Sequence, residues 1–556
     1  MSKNLSDLTG RKGIEENLFT QIGELAAASE GTPSSEELDR LADEFLIGKA
    51  NVYGSATFYD FLKPENQGKK VYVCNGSACL CAGTQDKLIV DLKEKFKEEE
   101  IGHMTCLGRC HENSAFQYDG KNYSALNAEG FEKVFEEKGN NHDTYVVSSL
   151  GQAVLTAPFE GMEAYAELLK GALAKDSADV LAEVKAAGVR GRGGAGFPMG
   201  FKWEFARNNE SDLKFIICNA DEGDPGAYTD RYLLEQRPHS VIFGMIIAGY
   251  CMKAEWGVFY IRAEYPESFP IVKSALEDFR AAGLLGKDIN GKGFNFDFKI
   301  VPGQGSYICG EETALISSIE GQRPEVRVRP PFPAEKGLFN KPTIVNNVET
   351  LAVVPFIIKN EGAAYAALGT EKSSGTKLLS LDSYFERPGV YEVEMGTPLS
   401  VVVNELGGGF NEPIKALHIG GPLGGLVPAD KIDELTIDFE SFDGGGFLLG
   451  HASVVCIPEK FSIMTYLVEL MHFAAVESCG KCFPCRLGTK RAHEMLEAAN
   501  TSSYRIDTDL FDDLLHTLTE GSLCAHGGGI PLPVRNALQY FEEELDPYFS
   551  REISHV

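Results

Sequence analysis

Three cysteines lie close together near the carboxyl end of the chain, at Cys479, Cys482 and Cys485. Thiolates at this C-x2-C-x2-C spacing can face one metal cluster from a single tight loop. Cys524 is the only cysteine that follows them, so it is the natural fourth ligand of a 4Fe-4S cluster. A zinc site is the alternative, but zinc usually takes its ligands as two separated pairs. The spacing therefore favours iron and sulfide.

A second group of cysteines comprises Cys74, Cys79, Cys81, Cys106 and Cys110. A C-x4-C pair, Cys74 with Cys79, and a C-x3-C pair, Cys106 with Cys110, suit a 2Fe-2S cluster in which each pair holds one iron. Zinc is a serious rival for two such pairs. A redox disulfide at the C-x-C step would leave Cys106 and Cys110 without a role. We predict the iron–sulfur site, with either Cys79 or Cys81 as the surplus thiol.

The length, charge and hydrophobic pattern of the chain narrow the class of protein. The chain has 556 residues, 13 cysteines and a formal net charge of -29, which disfavours nucleic acid and anionic lipid as partners. We expect proteins and small molecules instead. Clustered thiols without an export signal predict a cytoplasmic protein. The longest apolar stretch, residues 241–252, is too short to span a bilayer. Four scattered cysteines in apolar surroundings are predicted to be ordinary buried thiols: Cys218, Cys251, Cys309 and Cys456.

A glycine-rich loop over residues 188–200 contains the pattern G-x-G-x-x-G at Gly191, Gly193 and Gly196. The dinucleotide fingerprint needs a strand before the first glycine, whereas residues 177–187 predict a helix, so that context fails. Backbone without Cβ atoms can still approach a phosphate or a flat ring closely. The loop therefore predicts a ligand contact, with positive charge from Arg190, Arg192 and Lys202 and aromatic rings from Phe197, Trp203 and Phe205.

Polar residues follow a predicted buried strand at 214–218, in the segment from Asn219 to Gly226. The carboxyl ends of buried strands are where α/β sheets usually place ligand contacts, although a solvated acidic turn is an equal alternative for this segment alone. Residues 303–313 place two carboxylates beside a tight glycine turn, and residues 327–333 add cations and a rigid aromatic residue. Together they predict one polar binding site.

The elements that carry these residues divide into four predicted domains of a multidomain α/β protein. Residues 1–140 predict a helical bundle, with a helix start at Ser34 to Glu37, followed by a compact α/β unit. Residues 139–143 predict a linker. Residues 150–385 alternate strands and helices, residues 386–458 form a small β-rich module, and residues 459–556 return to helical periodicity.

These segments closely resemble the NADH-binding flavoprotein (51 kDa-type) subunit of respiratory complex I and its relatives, the diaphorase subunits of NAD(P)-linked hydrogenases and formate dehydrogenases. The likeness covers about residues 150–545 and rests on residues 190–202, 219–226, 307–313, 346–350 and the cysteine tetrad. Residues 1–140 resemble the thioredoxin-like 2Fe-2S subunit of the same complex, fused here to the flavoprotein. Residues 386–458 look like the β-grasp-like module that follows the flavin domain in such proteins.

The resemblance implies particular ligands. FMN would be held by ten residues: Gly191, Gly193, Lys202, Asn219, Asp221, Tyr307, Gly310, Glu311, Asn346 and Asn347. The nicotinamide nucleotide would lie against six more: Phe197, Phe205, Asp224, Glu312, Arg329 and Phe332. The complex I pattern has glutamate where this chain has Asp224. Acidic groups beside the nucleotide favour NAD over NADP, because a 2′-phosphate needs a cation.

The predicted activity is hydride transfer between NAD(H) and FMN, with single electrons passing through 4Fe-4S and 2Fe-2S clusters to partner subunits. A flavin must stand between a two-electron donor and one-electron clusters. The predicted partners are an iron–sulfur subunit and the catalytic subunit of a hydrogenase, which could be electron-bifurcating, or alternatively of a formate dehydrogenase. The competing hypothesis from another class is a structural or assembly protein in which zinc occupies the cysteines.

Overall fold

The computed structural model describes residues 3–11, 13–14, 16–28, 33–125, 128–137 and 144–550. The predicted linker at 139–143 lies outside them. Over these residues the chain forms three larger sheets and a two-stranded one, surrounded by helices. The predicted multidomain α/β class is confirmed.

The amino-terminal helices are α1 (Lys3–Thr9), α2 (Leu18–Ala28), α3 (Ser35–Phe45) and α4 (Lys49–Ala56). The predicted helix start is confirmed, because Ser34 caps α3 and exchanges hydrogen bonds with Glu37 in a capping box. The buried side chains of these helices include Phe19, Ile22 and Leu41.

The unit that carries the first cysteine group is a four-stranded sheet in the order β2-β1-β3-β4. Strands β1 and β2 are parallel, whereas β3 and β4 form an antiparallel hairpin around Asp119 and Gly120, as predicted. Both turn residues have positive φ, which a two-residue hairpin of this type requires. The elements are β1 (Val71–Cys74), α5 (Ser77–Ala82), α6 (Gln85–Lys93), β2 (Ile101–Met104), β3 (Ala115–Tyr118), β4 (Lys121–Ser124) and α7 (Ala128–Glu137).

The central domain is built on a five-stranded sheet in the order β10-β6-β7-β9-β8, of which all but β8 run parallel. Its elements, with β5 preceding them, are β5 (Val146–Leu150), α8 (Met162–Ala174), α9 (Ser177–Ala186), α10 (Met199–Asn208), β6 (Phe215–Ala220), α11 (Thr229–Gln236), α12 (Pro238–Met252), β7 (Trp256–Ile261), α13 (Ser268–Ala281), β8 (Gly286–Ile289), β9 (Phe294–Pro302), α14 (Glu312–Ile319), α15 (Pro333–Lys336), β10 (Thr343–Asn347), α16 (Val348–Ala352), α17 (Val354–Asn360) and α18 (Gly362–Ala366).

Alternation along β6 explains how this sheet is covered on both faces. Ile216 and Cys218 belong to the main core with α12, the buried helix predicted from residues 241–252. Phe215 and Ile217 point the other way, into a second core that they share with the amino-terminal helices. Because successive side chains of a strand face opposite sides, one strand packs against both layers. The amino-terminal helices are therefore a structural layer of the central domain.

The β-rich module forms a six-stranded sheet in the order β14-β13-β15-β11-β12-β5. Two of these strands, β5 and β11, precede residue 386, so the sheet extends beyond the predicted range. Its further elements are β11 (Thr376–Leu381), β12 (Gly389–Glu394), α19 (Leu399–Val401), β13 (Ile414–Ile419), β14 (Gly425–Pro428), α20 (Phe439–Gly444) and β15 (Ser453–Pro458).

The carboxyl-terminal domain is helical, as predicted. It contains α21 (Ile463–Val476), α22 (Phe483–Thr501), β16 (Ile506–Asp507), α23 (Thr508–Gly521), α24 (Ala525–Gly529), α25 (Pro531–Tyr540), α26 (Glu542–Leu545) and β17 (Phe549–Ser550). Short 3-10 turns elsewhere are Pro64–Asn66, Glu98–Glu100, Tyr307–Gly310, Leu338–Asn340, Ala429–Glu434 and Asp546–Tyr548, with a π-helical turn at Val402–Leu406. Within the described residues, each helix is too short or too polar to cross a membrane.

Candidate functional site

The strand order of the central sheet creates a crevice at its carboxyl edge. The chain passes from β6 through β7 to β9 and then returns to the other side of β6 as β10. In this register Asn347 lies opposite Asn219, at the ends of the two strands. A reversal of strand order is where open α/β sheets bind ligands. The structure thus brings together two predicted site residues from distant parts of the sequence.

The loop at residues 303–313 closes over this edge. Asn219 Nδ2 donates to the carbonyl of Gly310 at 2.8 Å, and Asn219 Oδ1 accepts from the backbone of Asp221 at 3.1 Å. Glu311 caps α14, since its carboxylate accepts two backbone N–H groups at 2.9 Å. The Tyr307 hydroxyl faces the carboxyl of Asp224, whose pKa is raised by burial. Predicted flavin contacts on two loops therefore lie side by side.

The glycine-rich loop lies against the second strand end. The Gly191 N–H donates to the carbonyl of Phe197 at 2.9 Å, which closes the loop. A Cβ at Gly193 would lie 3.0 Å from the Cβ of Asn347, so the absence of a side chain permits this approach. Asn346 accepts a hydrogen bond from Trp203 Nε1 at 2.8 Å. The helix predicted before the loop is confirmed as α9, so the loop has no preceding strand.

Cations and carboxylates alternate beside this loop. Lys202 Nζ lies 2.7 Å from Glu312 and donates to the carbonyl of Val345 at 2.8 Å. Arg329 forms ion pairs with Glu311 and with Glu312, the latter at 3.4 Å. Three of the predicted nucleotide contacts are aromatic rings that are about half exposed: Phe197, Phe205 and Phe332. Exposed rings of this size beside a polar crevice provide stacking surfaces for a flat ligand.

The buried carboxyl oxygen of Asp221 tests whether the crevice fits a polar ligand. Asp221 Oδ2 has no hydrogen-bond partner among the described residues, and burial raises the pKa of this carboxyl well above its ordinary value. Buried groups of this kind normally have partners. The crevice therefore fits a ligand that supplies a hydrogen-bonding atom to Asp221. Arg192 of the glycine-rich loop is fully buried, but its Nη2 donates to the Tyr365 hydroxyl and to the carbonyl of Ser374, at 3.3 and 2.6 Å, so its guanidinium packs against that segment.

The predicted 4Fe-4S cysteines lie at the junction of α21, α22 and α24. Cys479 and Cys524 share an apolar cluster with Ile308 and Ala314, beside the loop that closes the crevice. Burial, with smaller contributions from neighbouring thiols, raises the pKa of Cys485 to about 11 and that of Cys524 to about 12. A thiol that raises the pKa of its neighbour lies close to it, and a bound cation would reverse the effect.

The predicted 2Fe-2S cysteines converge in the same way. The sulfur atoms of Cys106 and Cys110 lie 3.6 Å apart, and a hydrogen bond from Cys79 lowers the pKa of Cys74. Backbone N–H groups of Gly76, Leu107 and Cys106 also face the sulfur of Cys74 and lower its pKa. All four are buried. Four mutually adjacent thiols surrounded by backbone donors suit a small iron–sulfur cluster.

Three residues that the sequence analysis missed attach this cysteine loop to the central domain. Arg262 donates to the carbonyl of Thr105 at 2.9 Å, and Arg231 donates to that of Gly108 at 2.9 Å. Tyr265 packs so closely on Gly108 that a Cβ there would approach its ring to 2.7 Å. No local pattern marks these residues, because their partners lie more than a hundred positions away. Together they fix the first cysteine group against the crevice.

The three predicted centres meet around a cavity of about 10 Å³, room for roughly one water. Its lining joins Thr105 from the first cysteine loop, Asp221 and Tyr307 from the crevice, and Glu477 from the second cysteine segment. Glu477 accepts the backbone N–H of Tyr307 at 2.8 Å. One buried region thus links the crevice to both groups of thiols.

Family models match three segments of the chain. Residues 184–356 match the Nuo51 FMN-binding domain, residues 465–548 the NADH-ubiquinone oxidoreductase-F iron-sulfur binding region, and residues 18–138 the thioredoxin-like [2Fe-2S] ferredoxin. The NADP-reducing hydrogenase protein HndC of Solidesulfovibrio fructosivorans is 42% identical over 67% of this chain and 76% of that protein. The mitochondrial NADH-ubiquinone oxidoreductase 51 kDa subunit of Neurospora crassa is 35% identical over 66% of this chain and 76% of its own length. The chain belongs to this 51 kDa family.

A solved structure extends the likeness to nearly the whole chain. A chain of an NAD+-reducing [NiFe]-hydrogenase in the H2-reduced state superposes with a TM-score of 0.82 at 29% identity, covering 94% of this chain and 91% of that one. The amino-terminal cysteine unit, which lies outside the match to the Nuo51 FMN-binding domain, is therefore shared with a known assembly.

This member of the 51 kDa family is an FMN- and iron–sulfur-containing oxidoreductase subunit of the NADH dehydrogenase type. Its cofactors are FMN, a 4Fe-4S cluster and a 2Fe-2S cluster, and NAD(H) is the substrate of the family. Related proteins are subunits of multisubunit complexes. The alternative of a zinc-containing structural protein is not favoured.

Proposed function

We propose that the residues gathered at the sheet edge hold FMN: Gly191, Gly193, Lys202, Asn219, Asp221, Tyr307, Gly310, Glu311, Asn346 and Asn347. The observation that carries this assignment is the convergence of Asn219, Gly310 and Asn347 at one strand reversal. Bound FMN would exchange a pair of electrons with the nicotinamide and single electrons with clusters. The chain's own contribution is to bind and orient, since hydride transfer needs no protein base.

The nucleotide lies, in this proposal, against Phe197, Phe205 and Phe332, with Asp224, Glu312 and Arg329 nearby. Lys202 and Arg329 are both paired with Glu312, at 2.7 and 3.4 Å. These ion pairs leave less positive charge to attract a 2′-phosphate, which supports NAD over NADP. Asp224 is shorter than the glutamate of the family pattern and faces the Tyr307 hydroxyl, so we expect its effect on the nucleotide to act through that hydroxyl.

The two clusters take separate cysteine sets in the proposal. The 4Fe-4S cluster is held by Cys479, Cys482, Cys485 and Cys524, and the 2Fe-2S cluster by Cys74, Cys79, Cys106 and Cys110. Packing of Cys479 against Ile308 and Ala314 supports the first set as the nearest electron acceptor to the flavin. The four domains proposed are residues 1–140, 150–385, 386–458 and 459–556, with β5 and β11 contributed to the β-module's sheet from outside its range.

The proposed partners are an iron–sulfur subunit and a hydrogenase catalytic subunit, working in the cytoplasm. Two resemblances favour a hydrogenase over a formate dehydrogenase: HndC is named as a subunit of an NADP-reducing hydrogenase, and the superposed structure is an NAD+-reducing hydrogenase. All thirteen cysteines are free, which agrees with a reducing compartment. Mass spectrometry of co-purifying subunits distinguishes the two complexes.

The test of this function is Cys482→Ser in the full chain. We expect the variant to keep its flavin and its NADH-to-dye activity while electron delivery to the partner is abolished, because Cys482 is only a cluster ligand. Visible and EPR spectra during anaerobic NADH titration check both parts. Loss of flavin together with the fold would mean that the cluster is structural. A colourless wild-type protein containing only zinc would overturn the function itself.

A further inference from the structure

A buried ionic cluster joins the flavin domain to the β-module. His451, two residues before β15, lies with Nε2 at 3.4 Å from Asp230 and 3.5 Å from Glu222. All three residues are buried. Glu222 follows strand β6 and Asp230 belongs to α11, whereas His451 precedes a strand of the other sheet. An imidazole from one module therefore lies between two carboxylates of another.

The cluster is connected directly to a proposed flavin ligand. Asn347 Nδ2 donates to Asp230 Oδ2 at 2.6 Å, the same oxygen that faces His451. Asn347 also caps α16 through Thr350 and lies against Gly193. A Cβ on Gly194 would lie 3.9 Å from Gly450, which precedes His451. The turn that carries His451 thus supports both the glycine-rich loop and the asparagine.

A second buried bridge reaches the same segment. Lys377 of β11 forms an ion pair with Glu349, and both side chains are fully buried. Glu349 also accepts the backbone N–H of Leu378 at 3.0 Å. Glu349 lies two positions after Asn347, so one end of this short segment is held through Asp230 by His451 and the other by Lys377 of β11, a strand of the β-module's sheet. Buried pairs of this kind specify position more than they stabilise the fold.

The hydrogen bonds around Glu222 indicate that a protonated histidine, and not a metal ion, provides the positive charge between the two carboxylates. Its Oε1 accepts the N–H of Asp230 at 2.9 Å, and its Oε2 accepts that of Arg231 and the Tyr265 hydroxyl, each at 3.1 Å. Oxygens engaged in this way have little capacity left for a metal. Burial lowers the pKa of His451, but Asp230 and Glu222 outweigh it and raise this pKa to about 9. An imidazolium provides the positive charge.

We infer that the β-module is part of the flavin site, in which His451 and Lys377 are positioning residues that hold Asn347 and Glu349 in the conformation that binds FMN. The inference rests on the proposed function, because Asn347 is taken as a flavin ligand there. It predicts that the β-module sets flavin affinity and potential without touching the nucleotide.

The test replaces His451 by Gln in the full chain, with His418→Gln as the matched control. His418 is a buried histidine of the same module, but its Nδ1 is hydrogen-bonded to Tyr466, at 2.7 Å. Losing a hydrogen bond to a charged group should raise the dissociation constant for FMN about tenfold to a hundredfold. Flavin fluorescence measures this constant, and a spectroelectrochemical titration measures the flavin potential, which should also shift. Iron content should stay at the wild-type value in both variants.

The pH dependence has a definite sign. Because the pKa of His451 is raised, the imidazolium that holds Asp230 and Asn347 is fully present at low pH. It is lost as the pH rises through about 9. The charged groups facing it are Asp230, Glu222, Asp224 and Lys377, and burial raises the pKa of Glu222 to about 7. Wild-type flavin affinity should therefore fall between about pH 8 and pH 10, whereas that of His451→Gln should change less.

Several outcomes would overturn the inference. If His451→Gln binds FMN with wild-type affinity, potential and pH dependence, the cluster has no positioning role. An equal loss of FMN affinity in His418→Gln would show general damage to the module. If Lys377→Met binds FMN with unchanged affinity, the Lys377–Glu349 pair has no positioning role. Failure of the proposed function is a different result, since the wild-type protein would then contain no flavin.

Discussion

Cys79 and Cys81 lie on the short helix α5, two positions apart, and so point to different sides of it. Cys79 packs with Cys74, Met104 and Leu107. The backbone carbonyl of Cys81 accepts the hydroxyl of Tyr384, and burial with the nearby Asp382 raises the pKa of its thiol. The two thiols therefore face different neighbours, one the proposed cluster and one the β-module.

The expected consequence is that only one of the two thiols is needed for the cluster. Cys79→Ala should lose the 2Fe-2S EPR signal and the matching iron, because one iron loses a ligand. Cys81→Ala removes a buried sulfur of similar size and should keep both. Iron analysis and EPR of the dithionite-reduced variants check this. The reverse pattern would exchange the roles of the two residues.

Spacing alone could not choose between these thiols, because C-x4-C and C-x6-C steps from Cys74 are both compatible with a cluster. The helical phase of α5, which depends on tertiary packing, favours Cys79. The same limit applies to Arg231, Arg262 and His451, whose partners come from remote segments. The cysteine sets, the glycine-rich loop and the adjacent Asn346 and Asn347 could be proposed from sequence because each shows its characteristic residue types in one or two short segments.

At the scale of elements, local signals predicted local structure. The capping box at Ser34 and the Asp119-Gly120 turn are encoded in a few adjacent residues, and both are present. The membership of β5 and β11 in the β-module's sheet was not predictable in this way. β5 pairs with β12, more than two hundred residues further along, and no short pattern specifies such a pairing.

The amino-terminal segment is docked on the crevice loop by a contact that requires glycine. The N–H groups of Asp60 and Phe61 donate to the carbonyls of Gly305 and Gln304, at 2.9 and 3.1 Å. Gly305 has φ +75°, and a Cβ there would lie 2.9 Å from the Cβ of Asp60. A side chain would therefore add a clash to the strain of a left-handed backbone.

Gly305→Ala should consequently loosen the amino-terminal helices from the central domain. Gly291→Ala is the matched control, because Gly291 has φ +65° but open space around its Cβ position. In both variants the free energy of unfolding should fall by about 1 kcal/mol because of backbone strain. Only in Gly305→Ala should overpacking lower it by about 1–3 kcal/mol more. Thermal unfolding and limited proteolysis after residue 62 measure the difference. Equal behaviour of the two variants would mean that the docking contact adjusts at no cost.

At the scale of the whole molecule, the acidic chain exposes one mixed apolar and basic surface beside a cluster ligand. Phe483 is 74% exposed and Leu487 is 59% exposed, one turn apart on α22 and directly after Cys482. Arg486 and Lys490 lie on the same exposed side. Large exposed apolar residues commonly mark protein contacts. This surface is where we expect the iron–sulfur partner subunit to dock, since Cys482 is itself only partly buried.

The final prediction follows from that position. Phe483→Asp combined with Leu487→Asp should reduce co-purification of the iron–sulfur subunit at least about tenfold, because two exposed apolar contacts are replaced by charges. Leu510→Asp is the control, because Leu510 is 55% exposed in the same domain but lies away from this surface. It is near the start of α23, and it is the other end of that helix, at Gly521, that adjoins Pro484. Flavin, iron and NADH-to-dye activity should remain at wild-type values in all variants. If the double variant still assembles and passes electrons normally, the partner approaches the 4Fe-4S cysteines from another side, past Cys524.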